Sequence, residues 1–375
     1  MTEGRAAARV AAVVLAAGTS TRMGAIKQLL RLGGKTLLGT VLDNLRKSQV
    51  SGITVVLGSS AAEIREAIPL SDVRVVVNEG YREGMGTSLR TGIAAIEPGT
   101  EAALVVLADQ PFVQRKTIDW LIAAYGEQRP QILIPTYQGF RGNPVLLDRS
   151  VFGELMSLSG DIGCRAIFGA HASNILKVPV EDIGVLLDVD TKADLETFEQ
   201  ALARNEWGPV LLEAADLEGR DAAASSELVV VGDDAIARSL ARLGSLLHFT
   251  VTMVDPLLRP GDVPGADRVL RSLDFTRLPA AAERYVVVAS RGRFDEDAIE
   301  QALAARADYV ALIANKKRAR EITDRLRSIG VEDEKLVRLR APAGLNIGAE
   351  SPEEIALSVV AEMVAERARR RGSQN

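Results

Sequence analysis

The sequence predicts an α/β protein with a Rossmann-like domain on a mostly parallel sheet, followed by a second, smaller Rossmann-like α/β domain. Short Val, Leu and Ile runs alternate with segments of helical periodicity along the chain. Strands that helices cover on both faces have this uninterrupted apolar pattern. The length of 375 residues also suggests two or three domains, at about 150 residues per domain.

The first half contains enough elements for one domain, which we predict at residues 1–204. Apolar runs predict strands at 10–17, 53–58, 73–78, 103–109 and 131–135. Helical spacing predicts helices at 35–48, 87–96 and 114–124. Ser60 with Glu63 predicts a capping box at the start of a further helix, and Thr191 with Asp194 predicts the cap of one ending near residue 204.

The second half begins after a segment in which strand and helix patterns no longer alternate. Residues 205–226 are acidic, rich in Ala and Ser and weakly periodic, which predicts a linker. A second series of strands is predicted within 227–234, 248–255, 284–290 and 308–314. The sequence from Ser351 to Glu354 predicts the N-terminus of a last helix. The second domain is therefore predicted at 227–375.

The composition excludes several classes of function. A net charge of −5 gives no support for a nucleic-acid partner or an anionic membrane. The single cysteine, Cys164, excludes an intrachain disulfide and a cysteine-rich metal site. The N-terminus has no signal-peptide pattern and no apolar run approaches a membrane span, so we expect a cytoplasmic protein.

The positions of the two histidines argue against two further kinds of site. His171 and His248 both lie away from the glycine-rich segments, so neither a Ser-His-Asp triad nor a histidine zinc site is expected. Carboxylates, Lys, Arg and backbone amides remain. This set suits Mg²⁺-dependent phosphoryl or nucleotidyl transfer, in which positioning and charge neutralisation matter most.

The segment LAAGTSTRMGAIKQLL, residues 15–30, leaves the first strand through a glycine and then carries hydroxyls and cations. Gly18 lets backbone amides approach a ligand, the hydroxyls of 19–21 add donors, and Arg22 and Lys27 add positive charge. A triphosphate requires this combination of amides and cations. The spacing matches neither a Walker loop nor GxGxxG, and a plain turn with surface cations is the alternative.

Acidic residues follow two other predicted strands. Asp109 ends the strand in VVLADQP and would point into the same crevice, where it could hold Mg²⁺. Asp188 and Asp190 are predicted at alternate positions on one strand face, so that both sources of carboxylate share one metal. The turn at 84–86 precedes a helix predicted to start near 87–88, a place for an anion or a base. Each feature has a purely structural alternative, a turn or a helix cap.

Taken together, these motifs resemble the MobA-like nucleotidyltransferase family, closest to its molybdenum cofactor cytidylyltransferase branch. The resemblance covers residues 10–200 and implies a Rossmann-like nucleotidyltransferase fold. It also implies Mg²⁺-dependent transfer of a nucleoside monophosphate from an NTP, with release of pyrophosphate. Besides the first segment, the matching segments in order are NEGYREGMGTSLRTGI, VVLADQPFV, FRGNPVLL, LSGDIGCRAIF and LLDVDTKADL.

The resemblance also implies roles for individual positions. It assigns Arg22, Lys27 and Asp109 to catalysis, and Asp109, Asp188 and Asp190 to the metal. The positions that it places against the nucleotide or the acceptor are Leu15, Ala16, Ala17, Gly18, Ser20, Gly86, Ser88, Gly142, Asn143 and Asp161.

The form of the first motif favours CTP as the substrate. The guanylyl branch usually has LAGG where this chain has LAAG at 15–18, and the Ala-Ala form resembles the cytidylyl branch. The implied acceptor is the terminal phosphate of molybdopterin carrying molybdenum. Two alternatives stay open: a cytidylyl- or guanylyltransferase for another phosphorylated acceptor, and a non-catalytic carrier of the finished cofactor.

The second domain starts like a dinucleotide-binding fold but departs from its glycine pattern. Asp255 lies 23 residues after Gly232, close to where a ribose-binding acid is found. Asp234 and Ala237 replace the other two glycines, and Asp233 with Asp234 would repel a pyrophosphate. We therefore do not expect NAD binding.

Segments 284–303, 309–322 and 338–365 instead resemble the C-terminal domain of the xanthine dehydrogenase accessory (XdhC-like) family. This implies a partner of the molybdenum hydroxylase type, such as a xanthine or CO dehydrogenase. Members often carry THGH-like and GSRRK-like stretches where this chain has 290–293 and 314–317. The alternative is that the domain only packs or forms a homodimer.

Overall fold

The structure is a computed structural model, and it describes residues 8–18, 25–158, 160, 163–203 and 226–372. The chain divides into two compact units, each with a sheet of its own. The predicted α/β class is therefore confirmed. The predicted linker, 205–226, lies almost entirely outside the described residues. None of the described helices combines the length and the apolar character that crossing a membrane requires.

The first unit contains an eight-stranded sheet in the order β10-β7-β9-β6-β1-β4-β5, with β8 beside β7, and a separate antiparallel two-stranded sheet, β2-β3. All pairings along this path are parallel except those of β9. The strands are β1 Val10–Ala16, β2 Arg31–Leu32, β3 Lys35–Thr36, β4 Gly52–Leu57, β5 Arg74–Val77, β6 Ala102–Leu107, β7 Ile132–Tyr137, β8 Phe140–Arg141, β9 Val145–Asp148 and β10 Ile175–Pro179. The helices are α1 Leu37–Arg46, α2 Ala61–Ala67, α3 Met85–Ala94, α4 Arg115–Gln128, α5 Phe152–Leu155 and α6 Lys192–Ala203.

Both faces of the central strand β1 are buried. Val10, Ala12, Val14 and Ala16 enter one apolar core, whereas Val13 enters the core on the opposite face. Because successive strand residues point to opposite faces, a strand covered on both sides needs no polar alternation. This explains why an uninterrupted apolar run predicted β1 correctly.

The second unit contains a six-stranded, fully parallel sheet in the order β13-β12-β11-β14-β15-β16. Its strands are β11 Ser226–Val231, β12 Thr250–Val254, β13 Arg268–Leu270, β14 Glu283–Val288, β15 Tyr309–Leu312 and β16 Leu339–Arg340. Its helices are α7 Ala235–Leu246, α8 Asp295–Ala304, α9 Lys316–Ser328, α10 Asp333–Leu336 and α11 Pro352–Gly372. This is the strand order of a doubly wound Rossmann sheet.

Three details of the sequence prediction are wrong. Ser60 precedes α2 but its side chain makes no capping hydrogen bond, so the predicted capping box is absent there. Helix α3 begins at Met85, two residues before the predicted start. Asp188 and Asp190 lie in an irregular segment rather than on a strand. The predicted caps of α6 and α11 are present, with reciprocal hydrogen bonds at Thr191–Asp194 and Ser351–Glu354.

Candidate active site

The parallel sheet places the ends of β1 and β6 side by side. These strands are paired in parallel register up to Leu15 and Leu107, and the Ala108 amide continues the pairing with a 3.2 Å hydrogen bond to the Leu15 carbonyl. Asp109 therefore emerges beside the end of β1. Ligands of open α/β sheets bind at this carboxyl edge.

Lys27 lies between two carboxylates at this edge. Its Nζ donates hydrogen bonds of 2.6 Å to Asp109 Oδ2 and 2.6 Å to Asp190 Oδ1. Burial lowers the pKa of Lys27, but Asp109 and Asp190 together outweigh burial and raise the pKa above its ordinary value. Lys27 is therefore protonated at neutral pH, and one ammonium group serves two acids that are distant in sequence.

Asp188 is a third acid of the site and is partly buried. The side-chain amide of Gln110 donates a 2.5 Å hydrogen bond to Asp188 Oδ1. Burial, together with the charges of Asp109 and Asp190, raises the pKa of Asp188 to about 7, although Gln110 and Lys27 act in the opposite direction. The site thus holds more carboxylate than Lys27 alone neutralises.

The donor set suits a magnesium ion bound together with phosphates. Asp109 and Asp190 already share one cation, the Lys27 ammonium, so their oxygens face a common point. No group of three or more His, Cys, Asp or Glu side chains among the described residues is arranged to hold a metal. Mg²⁺ commonly binds one or two carboxylates and takes its remaining ligands from phosphates and water, so the residues present fit the ion.

Gln28 is a site residue that the sequence did not single out. It is buried, and its amide donates hydrogen bonds to the carbonyls of Ala16 (2.8 Å) and Gly18 (3.4 Å), whereas its Oε1 has no hydrogen-bond partner among the residues that the structure describes. Gln28 therefore fixes the backbone that leaves β1. The sequence offers no signal for it, because a polar residue beside Lys27 is expected on the surface and only the fold shows that it is buried and needs a partner.

The other residues that the sequence predicts for the site lie in different parts of the first unit. Leu15, Ala16 and Ala17 are at the end of β1, and Gly18 is exposed immediately after it. At the start of α3, the Gly86 amide donates to the Gly160 carbonyl at 3.1 Å, and Ser88 Oγ accepts a 3.0 Å hydrogen bond from the buried Asn78. Asn143 is anchored by its amide to the Val185 carbonyl at 2.9 Å. Ser20, Arg22 and Asp161 lie outside the described residues.

The second unit carries paired charges at the carboxyl edge of its sheet. Asp234 caps α7 by accepting a 2.8 Å hydrogen bond from the Ala237 amide, and it also pairs with Arg291 at 2.8 Å. A Rossmann fold binds a dinucleotide pyrophosphate at this helix N-terminus. Here the Asp234 carboxylate of the chain itself lies at that helix N-terminus, and the expectation against NAD binding stays a prediction.

Each of the two units matches a known family. Residues 12–175 match the MobA-like NTP transferase domain, and residues 228–363 match the XdhC Rossmann domain. The nicotine blue oxidoreductase of Paenarthrobacter nicotinovorans is 30% identical over 200 residues, which cover 94% of that protein and 51% of this chain. The chain belongs to the MobA-like NTP transferase family. Its second unit is an XdhC Rossmann domain, so both predicted resemblances are confirmed.

Two Escherichia coli proteins show how far the similarity of this MobA-like chain extends. Molybdenum cofactor cytidylyltransferase is 26% identical over 191 residues, which cover 94% of that protein and 50% of this chain. The uncharacterized protein YqeB is 31% identical over 144 residues, which cover 36% of this chain but only 26% of YqeB. Each match therefore spans half of this chain or less.

Proposed function

We propose that the MobA-like unit transfers CMP from CTP to the terminal phosphate of a molybdenum-carrying molybdopterin and releases pyrophosphate. The observation that carries this proposal is the position of Lys27 between Asp109 and Asp190, where β1 and β6 end side by side. Charges of both signs at this edge suit a triphosphate accompanied by Mg²⁺. The cytidylyltransferase relative and the LAAG form of the first motif favour CTP and this acceptor.

The chemistry requires little of the chain beyond positioning and charge. An oxygen of the acceptor phosphate attacks the α-phosphorus of CTP in line, and the bond from this phosphorus to the oxygen bridging to the β-phosphate breaks. The attacking phosphate is already anionic near neutral pH, so no histidine base is needed. Lys27, with Arg22, would stabilise the negative charge that grows on the leaving pyrophosphate.

The acids of the site would hold the metal in this scheme. Asp109, with Asp188 and Asp190, offers oxygen ligands of the kind that Mg²⁺ prefers. When bound, Mg²⁺ supplies further positive charge to the phosphates. Gln110 and Gln28 would keep Asp188 and the backbone after β1 in place through the hydrogen bonds described above.

The XdhC domain supports the same function, the maturation of a molybdenum enzyme. Its presence in one chain with a MobA-like domain favours a molybdenum hydroxylase as the client of the product, and we propose that the second unit assists delivery to that client. The relative named nicotine blue oxidoreductase shows that similarity over the first unit does not by itself fix the reaction. The transfer rates with different nucleotides therefore have to be measured.

The decisive assay uses the full chain with Mg²⁺, molybdenum-carrying molybdopterin and either CTP or GTP. We expect pyrophosphate release and a cytosine dinucleotide product with CTP, and less than about a tenth of that rate with GTP, because a site built for one base rejects the other by unpaired polar groups. Mass spectrometry identifies the product. A preference for GTP would overturn the assignment of CTP as the substrate. Absence of transfer from either nucleotide would overturn the proposal that the protein is a nucleotidyltransferase.

Asp109→Asn separates the enzyme from a non-catalytic carrier. We expect this variant to lose transfer, because an amide is a poorer ligand for Mg²⁺ than a carboxylate. Asp72→Asn is the matched control, since Asp72 pairs with Arg46 on the surface of the same unit. If Asp109→Asn still matured the hydroxylase fully, the carrier function would be favoured instead.

A further inference from the structure

We propose that Asp182 is a positioning residue that holds the two acidic segments of the site against each other. The first segment, 109–114, starts at Asp109, and the second, 182–190, contains Asp188 and Asp190. The inference rests on the proposed function in so far as these acids bind the metal. Asp182 itself acts at the far end of both segments and needs no contact with any ligand.

The Asp182 carboxylate is buried and fully engaged. Its Oδ2 accepts hydrogen bonds from the Gln114 amide (2.8 Å) and Thr117 Oγ1 (2.7 Å). Its Oδ1 accepts hydrogen bonds from the Gly184 amide (3.0 Å) and Gln114 Nε2 (3.2 Å). The residue is only 2% exposed. Four hydrogen-bond donors, from the two segments and from α4, therefore point at one carboxylate. Hydrogen bonds to charged groups are stronger than those between neutral groups.

Asp182 fixes the start of two helical elements at once. Gln114 precedes α4, and its own side chain does not cap that helix. Asp182 supplies the missing acceptor from another part of the chain, and it also caps the 3-10 turn Ile183–Leu186. A negative charge is stabilised near helix N-termini by the exposed amides and the dipole. One side chain therefore sets where α4 begins and where the 182–190 segment begins.

The other end of the two segments is joined at the site itself. The Val189 amide donates a 3.0 Å hydrogen bond to the Asp109 carbonyl, and Gln110 bonds Asp188. Between the ends, Gly184 lies so close that an added Cβ would be 2.3 Å from the Phe112 carbonyl oxygen. The segments are thus in contact along their length, so a displacement at Asp182 is transmitted to Asp188 and Asp190.

Asp182→Asn tests this role through metal binding rather than through turnover. The substituted amide would place a donor where two donors now point, and would push the segments apart. We expect the affinity for Mn²⁺, measured by its electron paramagnetic resonance signal with the full chain and a non-hydrolysable CTP analogue, to fall at least about tenfold, the scale typical of groups that orient metal ligands. Measurement well below the unfolding temperature keeps the chain folded.

Asp148→Asn is the matched control. Asp148 also caps a short turn, with a 2.8 Å hydrogen bond from the Ser150 amide, and also accepts from a hydroxyl, that of Tyr125 at 2.5 Å. It stands on β9, in neither acidic segment. We expect Asp148→Asn to lower stability while Mn²⁺ affinity stays at the wild-type value. If Asp182→Asn binds Mn²⁺ as tightly as Asp148→Asn, the positioning role is overturned.

Two milder variants keep the test valid if Asp182→Asn does not fold. Thr117→Val removes one of the four hydrogen bonds, and Gly184→Ala presses on the Phe112 carbonyl. Both should weaken Mn²⁺ binding in the same direction by a smaller factor, and wild-type affinity in both would contradict the proposal. A wild-type chain that binds Mn²⁺ with the analogue but does not transfer CMP would overturn the proposed reaction while leaving the positioning role standing.

Discussion

At the scale of single residues, the most consequential group is the ammonium of Lys27. Ion pairs on a protein surface contribute little, because water screens them. Only 15% of the Lys27 side chain is exposed, and two carboxylates contact its Nζ at 2.6 Å. An incoming triphosphate would offer the same ammonium a denser negative charge. Lys27 is therefore the counter-ion of the acids, and under the proposed function it would also contact the nucleotide.

Replacing Lys27 by Met should affect catalysis and metal binding in opposite directions. CMP transfer should fall at least about 100-fold, because a charge that stabilises the transition state is lost. Affinity for Mn²⁺ without nucleotide should rise, because Asp109 and Asp190 lose the cation that competes for their oxygens. Pyrophosphate release and Mn²⁺ titration measure the two effects.

Lys35→Met is the matched control for this change. Lys35 also pairs with an aspartate, Asp43, but its side chain is 61% exposed and lies on the surface. We expect this variant to leave both quantities unchanged. A wild-type transfer rate in Lys27→Met would show that the site has been assigned to the wrong residues.

At the scale of elements, the packing of α3 against the sheet positions the predicted base-contact region. Gly92 faces β1 and β4 so closely that an added Cβ would be 2.3 Å from Val13 Cγ1 and 2.9 Å from Val56 Cγ2. A glycine inside a helix normally costs about 1 kcal/mol relative to alanine. At this position the close approach of the helix to the strands explains why glycine is present.

Gly92→Ala should therefore destabilise the protein despite the better helix propensity of alanine. We expect a loss of about 1–3 kcal/mol in the free energy of unfolding, the usual effect of inserting a methyl group into a packed core. Urea denaturation measures it. Gly126→Ala in α4 is the control, because within the described part of the chain its Cβ would meet only Ala8 Cβ, at 3.9 Å, and it should be neutral or slightly stabilising. Equal effects of the two substitutions would refute the packing argument.

At the scale of the whole molecule, the sequence predicted both sheets because their strands are buried on two faces. It missed β8, β9 and β10 of the first sheet and β13 and β16 of the second. Strands β8, β13 and β16 have only two or three residues and are too short to show periodicity. It indicated that Lys27 and Asp109 meet, since both follow parallel strands. It did not indicate Gln28 or Asp182, because their roles depend on hydrogen bonds to backbone groups that only the folded chain brings near.

The stability of the whole chain also depends on a buried acid in the second unit. Asp255 is fully buried after β12 and pairs with Arg293 at 2.9 Å. Burial raises the pKa of Asp255 above its ordinary value of 3.8, with a further contribution from Asp233, and Arg293 and the Leu257 amide only partly offset it. The folded chain therefore holds this proton at pH values where the unfolded chain has released it. Stability from this group is complete below pH 3.8 and is lost as the pH rises through the folded pKa.

Asp255→Asn removes this titration. The unfolding midpoint of the variant, relative to that of the wild type, should rise as the pH increases from about 4 to 7, because only the wild type must ionise a buried carboxyl. Thermal unfolding of the full chain, followed by circular dichroism, measures this difference. Asp72→Asn should show no change over this range and a trend of the opposite sign only below about pH 4, since the hydrogen bonds with Arg46 lower the pKa of Asp72 and its stabilisation disappears as the pH falls. A pH-independent difference for Asp255→Asn would show that Arg293 fully compensates the buried charge.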